Sequence, residues 1–62
     1  MAEAYSTEVL DRALEGARMC EAHWQAEGDV ELLADAQART QRILAGIACE
    51  ADILGALDWL GA

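Results

Sequence analysis

Apolar residues recur along this chain at intervals of three and four, the spacing of one face of an α-helix. In the first half Leu10, Ala13, Leu14, Ala17, Cys20 and Trp24 fall within one arc, with Val9 at its margin, while Glu8, Asp11, Arg12, Glu15 and Arg18 lie outside it. The pattern predicts a helix over about 7–27. Ser6 and Thr7 stand before it as candidate N-caps, and Glu8 and Asp11 sit in its first turn, where the helix dipole favours acids. Gly28 ends it, because glycine takes the left-handed capping conformation without steric cost, and Asp29 is placed to cap the next helix. So short a turn, Gly28–Asp29, makes the two helices antiparallel neighbours.

The second half repeats the pattern with Leu33, Ala36, Thr40, Ile43, Leu44, Ile47, Ala51 and Leu54, close to a coiled-coil seam. It predicts a helix over about 30–60 that Gly46 can interrupt. Toward the end a second apolar stripe joins the first: Ile53, Leu57 and Leu60, with Trp59 beside them. Two arrangements accommodate it. Either the chain breaks near Gly46 and a short third helix runs from about Cys49 to Leu60, or one long helix carries two buried faces and the second needs another chain. The absence of proline and the abundance of alanine, leucine, glutamate and arginine exclude strands as the main element. The expected architecture is all-α: an antiparallel helical hairpin forming one domain over 1–62, dimerising into a four-helix bundle.

Composition points to a second chain that completes the core, either a copy of this one or a target. Although 55% of the residues are hydrophobic, fourteen of them are alanines and none is phenylalanine. A chain of this size buries only ~60% of the surface it exposes when unfolded, so a core of small side chains is thin. Ile53, Leu57, Trp59, Leu60 and Trp24 are the candidate residues for an oligomeric or other apolar interface.

Charge narrows the partners. Twelve acids face four arginines and no lysine, a net charge of −8. Direct nucleic-acid binding requires a cationic patch that releases counterions, and an anionic membrane surface makes a similar demand, so neither is expected. The complement is a basic surface on another protein. In a two-helix hairpin Glu3, Glu8, Asp11, Glu50, Asp52 and Asp58 collect at one end, and Glu21, Glu27, Asp29, Glu31 and Asp35 at the turn end. Glu8, Asp11, Glu50, Asp52 and Asp58 are the candidate partner-binding residues. The opening MAEAYSTEV has neither the basic nor the apolar region of a secretory signal, and no apolar run is long enough to span a membrane. The expected compartment is the cytoplasm. The bias toward alanine, glycine and arginine, without lysine, asparagine, phenylalanine or proline, suits a GC-rich bacterial or phage genome.

Cys20, His23 and Trp24 form the one concentration of chemically distinctive side chains. Cys20 and His23 share a helix face, but zinc needs at least three protein ligands. The other cysteine, Cys49, falls ~18 Å away along a two-helix hairpin and ~13 Å away if a third helix folds back, by the α-helical rise. That excludes an intrachain disulfide and a shared metal site. Trp24 is expected to close the turn end against Leu32 and Leu33, with His23 at the edge of the core or exposed. No phosphate-binding loop, nucleophilic triad or metalloprotease motif is present, so no catalytic residue, cofactor or metal is expected. The leading function is therefore non-enzymatic regulation or inhibition through protein binding. In type, though not in motif, the chain resembles phage- or plasmid-encoded inhibitors of nucleic-acid machinery, including anti-CRISPR proteins. Its length and layout are similar to those of small dimeric four-helix-bundle regulators. The alternative is an assembly adaptor or chaperone-like helical dimer that holds a partner helix on the apolar C-terminal stripe.

Overall fold

The computed structural model describes residues 5–61, which form three helices: α1 (Thr7–Glu27), α2 (Val30–Ala45) and α3 (Glu50–Gly61). No strand occurs among the described residues. Glu3 lies outside them.

Each boundary has a local cause. Ser6 caps α1, its Oγ accepting from the Val9 backbone N–H at 3.2 Å. At the other end Gly28 turns left-handed (φ 75°), and its N–H and that of Asp29 donate to the carbonyls of Gln25 and Trp24. Asp29 then caps α2 through Oδ1, which accepts from Leu32 N–H at 3.0 Å. The same device ends α2: Gly46 has φ 76°, and Gly46 and Ile47 donate to Ile43 and Arg42.

The chain therefore breaks at Gly46, and the continuous helix over about 30–60 does not form. α3 begins at Glu50, where the Asp52 carboxylate reaches back to the Cys49 N–H (Oδ2, 3.2 Å), satisfying a donor that the first turn leaves unpaired. α3 then runs beside α1 in the same direction: Ile53 and Ala56 share a cluster with Ala13 and Ala17, and Trp59 reaches His23. Both α2 and α3 lie along α1 and touch each other little. The result is an elongated body of 38 × 20 × 15 Å.

The core is small in every sense. Ala13, Ala17, Ile43, Ile53 and Ala56 form its buried cluster, with Cys20, Ala36 and Thr40 buried beside it. Ile53 is the one large side chain buried to below 2% exposure among the described residues. Small residues permit close approach instead. Gly16 is buried, and a Cβ built on it would overlap the Ala56 carbonyl oxygen and lie 2.9 Å from the carbonyl carbon, so α1 and α3 meet backbone to backbone. The Thr40 hydroxyl donates to the Ala36 carbonyl one turn back (3.1 Å), which satisfies the polar atom buried there.

Candidate functional site

The third helix rearranges the acids. Glu8 and Asp11 are exposed on the first turns of α1, where they line a shallow depression with Arg12, and Glu50 is exposed at the start of α3. Asp58 is exposed but is carried with Trp59 toward the turn end, away from Glu8. The grouping of Asp58 with Glu8 and Asp11 is thus corrected, because it required α2 to continue past Gly46.

Asp52 is already committed within the chain. Arg42 donates to it bidentately, Nε to Oδ2 at 2.9 Å and Nη2 to Oδ1 at 2.8 Å, and the Cys49 N–H and thiol also point at Oδ2. The Arg42 hydrogen bonds, opposed by desolvation and aided by the Cys49 N–H, hold the Asp52 carboxyl down from 3.8 to about 2. The same pairing raises Arg42 further above its usual value. This is the one ion pair among the described residues. Glu8, Asp11, Glu15, Glu21, Glu27, Glu31, Glu50 and Asp58 have no cationic partner within 4 Å there, so the acidity of the surface is largely uncompensated.

The expected apolar interface also changes character. Ile53 is 1% exposed and belongs to the core; α1 covers the stripe that a long helix would have left for a second chain. Leu57 is half-buried against that core, and Trp24, Trp59 and Leu60 are half-buried. The large apolar side chains left in solvent are others: Ile47 (71%), Leu54 (57%) and Leu44 (53%) around the α2–α3 joint, Val30 and Leu32 at the far end, and Met19 on α1.

Trp59 joins the Cys20–His23–Trp24 cluster from α3, an encounter that a two-helix reading cannot anticipate. His23 is exposed and lies against both indoles, edge-on to Trp24 (centroids 4.5 Å apart, 77°) and tilted on Trp59 (5.2 Å, 51°). Beside them runs a groove of about 380 Å³. α1 contributes Cys20 and Trp24 to it, α2 contributes Leu32, Asp35, Ala36, Arg39 and Arg42, and α3 contributes Asp52 and Trp59. Trp24 and Leu32 thus do line one surface at the turn end. Both cysteines are free thiols, Cys20 buried and Cys49 exposed, and no group of three or more His, Cys, Asp or Glu side chains converges on a metal-binding point among the described residues. No described helix is long and apolar enough to cross a membrane.

Arg39 is the groove residue that periodicity did not single out. Its guanidinium extends toward α3, with Nη1 2.8 Å from where a Cβ would stand on Gly55. Its Nε is buried with no hydrogen-bond partner. Comparison with known protein families, curated proteins and solved structures yields no match for this chain.

Proposed function

We propose that this protein is a small acidic regulator or inhibitor that works by binding a basic surface on another protein, without catalysis. The observation that carries the reading is the uncompensated acidity: a net charge of −8, with one ion pair among the described residues. Such a surface steers itself toward positive potential and disfavours wrong partners. Proteins that handle nucleic acids have the most extended basic grooves, because they must neutralise phosphates. An inhibitor of nucleic-acid machinery, of the anti-CRISPR type, is therefore the target class we favour, in the setting of a phage or another bacterial mobile element. The active species is a homodimer in the cytoplasm. Supporting it are the single fully buried large side chain among the described residues, Ile53, and the exposed Leu44, Ile47 and Leu54. A helix-holding adaptor acting through Ile53, Leu57 and Leu60 is less favoured, since those residues are packed along α1 and α3 would have to leave it.

The test begins with light scattering, where the dimer appears as about twice the chain's 6.7 kDa. A partner captured from the host is then titrated at low and moderate salt. Affinity should fall at least about tenfold between ~50 and ~300 mM salt, as screening of exposed charges requires. Two paired reversals, Glu8→Arg with Asp11→Arg and Glu27→Arg with Glu31→Arg, locate the acidic end in use. Asp52 is unsuitable for reversal because it pairs with Arg42 and caps α3. Salt-insensitive binding that neither reversal affects would refute recognition by charge.

A further inference from the structure

We infer that the groove between α2 and α3 is a binding site for a monoanionic, planar organic carboxylate, held by the Arg39 guanidinium and flanked by the indoles of Trp24 and Trp59. This inference does not rest on the proposed regulatory function.

The first observation is the contrast between the two arginines of the groove. Arg42 makes the two parallel hydrogen bonds to a carboxylate for which a guanidinium is shaped, and its partner is Asp52. Arg39 meets no acceptor among the described residues, and its Nε is buried as well. A guanidinium cannot neutralise itself by losing a proton, so a buried donor on it is costly to leave unpaired. Asp52 is already taken by Arg42.

The second observation is the shape of the groove. At about 380 Å³ it falls within the ~300–1,000 Å³ range of small-molecule sites. Its apolar lining comes from three helices: Trp24 from α1, Leu32 from α2 and Trp59 from α3. Two indoles favour a flat, aromatic body by stacking or edge contact. The chain's only two tryptophans both lie here.

The remaining charges select among anions. Guanidinium forks accept carboxylate and phosphate alike. However, Asp35 also lines the groove without a cationic partner among the described residues, and it repels a phosphate dianion more strongly than a carboxylate monoanion. With Arg42 and Asp52 neutralising each other, one unpaired cation, Arg39, and one unpaired acid, Asp35, remain among the described residues of the groove, which suits a single negative charge on an apolar ring system.

The experiment compares 2-naphthoate with its neutral isostere 2-naphthamide, following the indole N–H signals of the two tryptophans by ¹H–¹⁵N NMR. Expected is saturable binding of naphthoate below ~1 mM that shifts both indoles, with the amide at least about tenfold weaker, as loss of a charge-assisted bidentate pair implies. Arg39→Gln should abolish the preference, Arg39→Lys should retain part of it, and Arg12→Gln, outside the groove, should leave it intact. Trp59→Leu should weaken both ligands. Equal affinity for acid and amide, no saturation, or shifts confined to residues outside the groove would each overturn the assignment. If Arg39→Gln fails to fold, the comparison of acid with amide on the unaltered protein still decides.

Discussion

Replacing Gly16 by alanine probes the closest contact in the fold. At an unconstrained helix interior this change stabilises by ~1 kcal/mol through propensity alone. Here the new Cβ would overlap the Ala56 carbonyl oxygen and stand 2.9 Å from its carbon. Comfortable carbon–carbon contact is ~3.5–4.0 Å, so α3 must retreat on the order of 1 Å. Both obstructing atoms are backbone, so no rotamer change relieves them. Overpacking of this kind costs ~1–3 kcal/mol, and the upper part of that range applies where the neighbour is a rigid helix. Subtracting the propensity gain leaves a net destabilisation of about 1–2 kcal/mol. For a domain of this size that lowers Tm by roughly 5–15 °C. Gly55→Ala is the matched control. Its Cβ meets the end of the Arg39 side chain at 2.8 Å, which can swing aside, so Tm should hold or rise. Thermal melts followed by far-ultraviolet circular dichroism at one fixed protein concentration measure both. A Gly16→Ala variant that melts as high as the parent, or higher, would refute the backbone contact between α1 and α3.

Two further outcomes follow from the α2–α3 joint and the groove. Because the Asp52 carboxyl is held down from 3.8 to about 2 in the folded chain, its pairing with Arg42 stabilises fully above the ordinary value and is lost as pH falls toward 2. Asp52→Asn should therefore melt below the parent near neutral pH, with the gap closing by about pH 2; a gap independent of pH would show that the carboxylate's charge contributes nothing. With a disulfide-exchange reagent such as DTNB, Cys49, which is exposed, should react at once, and Cys20, 4% exposed, only as the protein opens. Equal rapid reaction of both thiols would show that Cys20 is not buried in the wall of the groove.

How much of this was legible in the sequence differs from element to element. The first helix and its turn could be read from local signals, because Ser6, Gly28 and Asp29 act within four residues of themselves. Gly46 was ambiguous for a physical reason: a helix can absorb one glycine at ~1 kcal/mol. What supports the break is Asp52, which caps α3 through Cys49 and bonds Arg42 ten residues earlier, a pair that periodicity does not encode. Everything downstream depended on that break. It moved Asp58 and Trp59 to the other end of the molecule, turned Ile53 from a surface into core, and made a groove with Arg39 in it.

The face of α1 formed by Ala13, Gly16, Ala17 and Cys20 serves two neighbours at once, Ile43 and Ala36 from α2 and Ile53 and Ala56 from α3. The history of accepted substitutions in such a molecule should be lopsided. A methyl group added at Gly16 meets the backbone of α3, and larger side chains at the buried Ala13 and Ala17 would overpack the core, whereas Glu15 and Arg18 on the opposite side are exposed. Related chains would keep small side chains along one narrow line of α1 and vary widely everywhere else on it. The fold's heritable signature would then be a row of absences, residues selected for what they lack.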